Sequence, residues 1–188
     1  MGHKAAFLDR DGVINLDRGY VAVWEDFEFL PGAVDALRAL EAAGYRLIVV
    51  TNQSGIARGY YSEASFLALT ARIEHALSVS GVHLTATYYC PHLADAPIGD
   101  YAIACECRKP APGLLLRAAS EWDIDLSRSF IVGDKPSDVE AGAAAGVPVR
   151  VFVARDADPV PAAATAVCAS LADALTVLGI APPLSVGP

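Results

Sequence analysis

The 188-residue chain is 54% hydrophobic and 19% charged, with a formal net charge of −8. That is ample apolar material for a core, and the wrong sign for a nucleic-acid backbone or an anionic membrane as the main partner. No run approaches the roughly 18 apolar residues of a membrane span, and the length suits one domain, read as residues 1–180 with a loose tail over 181–188.

Met1-Gly2-His3-Lys4 runs straight into apolar sequence without a secretory leader pattern, so a cytoplasmic location is expected. Ala5-Ala6-Phe7-Leu8 reads as a buried strand, followed at once by Asp9-Arg10-Asp11-Gly12. Two carboxylates that close repel each other unless a cation or a shared proton intervenes. Acidic oxygens suit hard cations such as magnesium, although the same stretch also reads as a plain Asp-Gly turn. A loop over 15–30 contains Asp17-Arg18-Gly19-Tyr20 and leads through Pro31-Gly32 into a helix over 33–41. Arg46-Leu47-Ile48-Val49-Val50 is a second strand, closing on Thr51-Asn52. After a loop over 53–61, Ser62 and Glu63 open a helix whose Phe66, Leu69, Ile73 and Leu77 keep one apolar stripe as far as Gly81.

A third strand over 85–89 ends at Cys90. A long irregular segment then runs to Arg108-Lys109-Pro110, and a helix follows over 113–121. Ser129-Phe130-Ile131-Val132 is a fourth strand, opening into Gly133-Asp134-Lys135-Pro136-Ser137-Asp138 and an Ala-rich helix over 139–145. Short strands over 147–153 and 166–169 and a helix over 170–178 complete the pattern. Alternating strands and helices imply a Rossmann-like, doubly wound α/β fold with a mainly parallel sheet and a ligand site at its carboxyl edge. Asp9 and Asp11, Thr51 and Asn52, and Asp134 and Asp138 each follow a strand, so the polar groups converge on that edge.

A phosphate monoester placed there meets a complete set of groups. Asp9 can attack phosphorus. A divalent cation and Lys109 can cancel the charge between carboxylate and dianion, with Asp134 and also Asp138 supplying further oxygens or holding the metal's waters. Thr51 can donate to phosphoryl oxygens, and Asp11 can protonate the leaving oxygen and later activate water.

Asp9-Arg10-Asp11-Gly12-Val13-Ile14, Thr51-Asn52, Arg108-Lys109-Pro110 and Gly133-Asp134-Lys135-Pro136-Ser137-Asp138 resemble, in order, the four motifs of haloacid-dehalogenase-superfamily phosphatases. The resemblance implies Asp9 as nucleophile, Asp11 as acid and base, Thr51 and Lys109 as phosphoryl stabilisers. It also implies a magnesium ion held by Asp9, Asp134 and the backbone carbonyl of Asp11. A phospho-receiver domain uses similar groups, but no aspartate follows the strand at Leu47–Val50.

Cys90-Pro91-His92 and Cys105-Glu106-Cys107 place three thiols and an imidazole in the irregular segment. Such ligands suit a closed, structural zinc site that staples about eighteen aperiodic residues, the alternative being a set of buried thiols. Cys168, in a short apolar run, is expected in the core. The pattern resembles the zinc-loop branch of the superfamily, which lacks a large cap domain and whose members can act as monomers. The long gap between His92 and Cys105, the run Asp17-Arg18-Gly19-Tyr20-Val21, and Lys135 are similar to its heptose bisphosphate phosphatases more than to its histidinol-phosphate phosphatases. Leu93, where the former often carry histidine, departs from the pattern.

That resemblance implies removal of the C7 phosphate of D-glycero-D-manno-heptose 1,7-bisphosphate, giving a precursor of nucleotide-activated heptose for lipopolysaccharide. Asp17, Arg18, Gly19, Tyr20, Asn52, Gln53, Ser54, Arg108 and Lys135 are the implied substrate contacts. Arg18 and Arg58 could each reach a distal phosphate or stand as surface charges. The acidic balance disfavours a polynucleotide 3′-phosphatase, and the intact motifs disfavour a zinc-stapled binding module without catalysis.

Overall fold

The computed structural model describes residues 2–155 and 159–181. The tail expected over 181–188 lies outside the described residues except for Ala181.

Strand β1 (Ala5–Leu8) sits inside a six-stranded sheet with β2 (Arg46–Asn52), β3 (Leu84–Cys90), β4 (Phe130–Gly133), β5 (Val149–Val153) and β6 (Ala166–Cys168). Their order is β3-β2-β1-β4-β5-β6, and each pairing is parallel. Helices α1 (Ala33–Ala42), α3 (Glu63–Val79) and α6 (Leu171–Val177) contribute to the core on one face, and α4 (Gly113–Trp122) and α5 (Pro136–Ala144) to the core on the other. The period-two geometry of a strand explains why β1 is apolar throughout: Ala6 and Leu8 enter the first core, Ala5 and Phe7 the second.

The register places the chemistry. Leu8 pairs with Val49 of β2 on one side and Val132 of β4 on the other, so β1 and β4 end nearly level while β2 runs three residues further, to Asn52. The chain winds from β1 outward to β2 and β3, then returns past β1 to begin β4. The crevice at this reversal lies beyond the carboxyl ends of β1 and β4, where parallel α/β sheets bind ligands. The Asp9 amide continues the ladder for one more bond, to the Val132 carbonyl at 3.0 Å.

Two helices depart from the sequence-based boundaries. Residues 54–57 form a short helix, α2 (Ser54–Ala57), where a loop was expected. Helix α5 begins at Pro136 rather than at residue 139, because Pro136 occupies its first turn and the Asp138 carboxylate accepts from the Lys135 amide at 2.9 Å. The described segments over 9–32 and 91–112 hold isolated bridges and single 3₁₀ turns, Trp24–Asp26 and Gly99–Tyr101, and no cap domain.

The start of β1 depends on one side chain outside the sheet's own ladder. Ser129 is buried; its hydroxyl accepts from the Ala5 amide at 2.9 Å and donates to the Asp125 carbonyl at 2.7 Å. Ser129→Ala strands a buried N–H, which should lower stability by about 1–3 kcal/mol, read as a lower urea midpoint at unchanged slope.

Candidate active site

Asp9 leaves the end of β1 almost fully buried, and Lys109 arrives from the segment after β3 to meet it. The Lys109 ammonium donates to Asp9 Oδ1 at 2.8 Å and to the Val50 carbonyl at 2.7 Å, and pairs with Asp138 Oδ1 at 2.6 Å. Burial by itself would lower the Lys109 pKa, but Asp138 and Asp9 together outweigh it and hold the group above the ordinary lysine value. Burial pushes the Asp9 carboxyl above its usual range; Lys109 opposes that rise and Asp138 adds to it.

The sequence offers Asp138 as a further oxygen ligand, and it does lie with Asp9 and Asp134 in a group whose carboxylate oxygens fall within 4.8 Å of one another. Both its oxygens already have partners, however: Oδ1 takes the Lys109 ammonium and Oδ2 the Lys135 amide. It therefore braces Lys109 and caps α5. The brace needs Gly133, since a Cβ there would stand 2.1 Å from the Asp138 Cβ.

Asp134 is the contrasting carboxylate. Its Oδ1 is buried without a hydrogen-bond partner, while Oδ2 accepts from Arg155 Nη2 at 3.1 Å. Burial first, then the charge on Asp9, pushes its pKa up to about 7. An orphaned carboxylate oxygen beside a second carboxylate fits a hard cation well. Gly12 completes the cradle: at φ +85° it makes the left-handed turn after Asp11, and a Cβ there would lie 2.1 Å from Asp134 Oδ2.

Asp11 turns away from this cluster. Its carboxylate is forked by Arg10 at 2.9–3.1 Å and also accepts from Asn15 at 3.0 Å and Gln53 at 3.2 Å. Gln53, buried, also donates to the Thr51 hydroxyl oxygen at 2.8 Å and accepts from Tyr61 at 2.5 Å. The Thr51 hydroxyl proton thus stays available to another acceptor. Asn52 clamps the Lys109 backbone in both directions, amide to carbonyl and carbonyl to amide, each at 3.0 Å. The Lys109–Pro110 peptide is cis.

Above these groups opens a cleft of about 640 Å³ lined by Asp11, Asp17, Gly19, Tyr20, Asn52, Gln53, Ser54, Arg108, Lys109 and Lys135, all singled out in the sequence. Lys135 lies 3.4 Å from Asp17, whose carboxylate also accepts from the Gly19 amide at 2.9 Å. Burial opposes ionisation of Asp17, but the Gly19 amide and Lys135 outweigh it and hold its pKa below the usual range. Tyr20 is half exposed and meets Tyr60 edge to face at 4.6 Å. Arg18 pairs with Glu28 at 2.5 Å and is absent from the lining. Arg58, Tyr61 and Ser137 do line the cleft. Ser137 lies within the fourth motif but draws no role there, and nothing in the spacing of Tyr61 marks it; each reaches the cleft from an element boundary that the sequence leaves blurred.

The four cysteine-segment groups converge. Cys107 Sγ lies 3.1 Å from Cys90 Sγ and 3.3 Å from Cys105 Sγ, Cys90 and Cys105 are 3.5 Å apart, and His92 Nδ1 is 3.4–3.7 Å from Cys107 and Cys90. Zinc–thiolate bonds of about 2.3 Å imply tetrahedral edges of about 3.7 Å, so the four ligand atoms match a zinc tetrahedron drawn slightly inward. Cys168, only partly buried, packs against the core and donates to the Ser170 carbonyl.

Residues 3–146 match the family model described as haloacid dehalogenase-like hydrolase. Over 173 residues, covering 90% of this chain and 92% of the relative, the sequence is 47% identical to a D-glycero-beta-D-manno-heptose-1,7-bisphosphate 7-phosphatase of Yersinia pestis. A protein of the same name from Pasteurella multocida is 51% identical over 150 residues, 80% of this chain and 81% of its own. The crystal structure of D,D-heptose 1,7-bisphosphate phosphatase from B. bronchiseptica, complexed with magnesium and phosphate, superposes with a TM-score of 0.80 at 33% identity, covering 93% of this chain and 97% of that one. With the ordered motifs at the reversal of a parallel sheet, these likenesses establish that the chain belongs to the haloacid dehalogenase-like hydrolase family.

Proposed function

We propose that the chain is a magnesium-dependent phosphatase that removes the C7 phosphate of D-glycero-β-D-manno-heptose 1,7-bisphosphate and leaves heptose 1-phosphate. The observation that carries the reaction type is the buried Asp9–Lys109 contact beside the orphaned oxygen of Asp134. The substrate is supported by the names of relatives 47–51% identical to this chain. Histidinol phosphate, with a single phosphate, leaves the arginine and lysine of the outer cleft without a second dianion to meet.

Asp9 and Asp134, with the Asp11 backbone carbonyl, would hold the magnesium ion. When bound, that ion offsets the phosphate charge facing Asp9 and polarises phosphoryl oxygens. Lys109 orients Asp9 and offsets the same charge. Asp9 attacks phosphorus in line, the P–O bond to C7 breaks, and an aspartyl phosphate forms. The Thr51 hydroxyl donates to a phosphoryl oxygen. Asp11 gives its proton to the departing C7 oxygen, then takes one from the water that hydrolyses the aspartyl phosphate. Both Asp11 oxygens accept hydrogen bonds in this structure, which suits the base form; to act as acid it must swing out of the Arg10 fork. Asp17, Gly19, Tyr20, Ser54, Arg108 and Lys135 contact the sugar and its outer phosphate. Arg18 joins them only by leaving Glu28, and Asn52 and Gln53 act mainly by holding Lys109, Thr51 and Asp11.

Cys90, His92, Cys105 and Cys107 would hold a structural zinc, the protein supplying all four ligands. No helix among the described residues is long and apolar enough to cross a membrane. A cytoplasmic, monomeric enzyme with reduced thiols is the setting we propose.

Asp9→Asn should abolish magnesium-dependent phosphate release, a loss of at least about 10³-fold, with circular dichroism unchanged. Asp134→Asn and Asp138→Asn should separate. The first should lose magnesium binding by calorimetry, whereas the second should bind the ion nearly normally yet lose about 10- to 100-fold in kcat as Lys109 loses its brace. Metal analysis should find about one zinc per chain, falling to near zero in Cys105→Ser.

A further inference from the structure

The cleft carries more positive charge than one phosphate needs, and its cations are not equally available. Lys109 lies at the floor with all three of its contacts inside the protein, to Asp9, Asp138 and Val50. Lys135 already faces Asp17. Arg108 makes a single long contact, to the His92 carbonyl at 3.3 Å. Arg58 is exposed, lines the same cleft, and makes no side-chain hydrogen bond or ion pair among the described residues. An uncompensated guanidinium at a cleft rim, in a chain of net charge −8, is poised for an anion from outside.

The backbone under Arg58 is set firmly. It closes the short α2, its amide donating to the Ser54 carbonyl at 3.0 Å. The cysteine-bearing segment reaches over to hold that turn: the Ile98 amide donates to the Ala57 carbonyl at 3.4 Å, and the Ile98 side chain lies over Gly59. Arg108 directly follows Cys107 in the same segment. One stapled stretch therefore positions both guanidinium groups, the first through a packed contact and the second through a peptide bond. Planar guanidiniums form paired hydrogen bonds to phosphate, a geometry that a lysine cannot reproduce.

We infer that Arg58, together with Arg108, seats the second phosphate of the substrate, and that Arg58 thereby sets the preference for a sugar bisphosphate over a sugar monophosphate. The inference rests on the proposed phosphatase reading and adds a specificity residue to it. It also gives the stapled segment a role in selectivity, since the segment orients both arginines.

The test compares wild type, Arg58→Ala and Arg58→Lys on heptose 1,7-bisphosphate and on heptose 7-phosphate, with inhibition by heptose 1-phosphate and by inorganic phosphate. In Arg58→Ala the ratio of kcat/KM for bisphosphate over monophosphate should fall about 10- to 100-fold, the effect expected from losing a charge-assisted contact. The inhibition constant of heptose 1-phosphate should rise by a similar factor while that of inorganic phosphate changes far less. Arg58→Lys should recover part of the ratio. An unchanged ratio, or equal weakening of both inhibitors, overturns the assignment of Arg58. A wild-type enzyme that ignores the bisphosphate overturns the parent reading, and is told apart because it shows before any variant is made.

Discussion

A lysine ammonium buried between two aspartates is the contact on which the rest of this molecule converges. Placing a charge at the dry end of a sheet costs several kcal/mol unless partners surround it. Lys109 meets that demand with Asp9, Asp138 and the Val50 carbonyl. Each partner is delivered by a different part of the fold: β1 brings Asp9, β2 the Val50 carbonyl, and the first turn of α5 brings Asp138. The parallel register that sets Leu8 beside Val49 of β2 and Val132 of β4 makes the meeting possible.

Around that contact the carboxylates divide their work by environment. Asp138 has both oxygens engaged and serves as a brace, whereas Asp134 keeps one oxygen unpaired in a buried place. Asp11 is wrapped by Arg10, Asn15 and Gln53, so its charge is managed locally and not by the Lys109 cluster. The same residue type thus stands in four different environments, and the roles proposed for Asp9, Asp134, Asp138 and Asp11 differ with what each touches.

Much of this was legible in the chain. The apolar runs ending in Asp9, Thr51 and Asp134 fell at strand ends because periodicity and turn residues mark such boundaries well. The cysteine segment stood out by composition, and its four groups do converge. What escaped was side-chain direction. Asn52 and Gln53 face a ligand cleft by position, yet spend their amides on Lys109, Thr51 and Asp11. Arg18 sits in the expected substrate loop but turns to Glu28. Helix α2 is four residues long, too short to show any period. The early start of α5 depends on a carboxylate folding back to the preceding amide, and spacing alone does not record such a bond.

The Asp9–Lys109 contact spans one hundred positions of sequence, and the ammonium's other anion lies still further along, after β4. Closing such long loops is entropically costly and slow compared with forming a helix or a neighbouring strand pair. During synthesis, a ribosome-bound chain that has emerged only through β3 holds Asp9 and Thr51 but neither Lys109 nor Asp134. The buried charge cluster is therefore completed late, with the fourth strand and the helix after it. Until then Asp9 lacks the ammonium that offsets its charge in the finished fold.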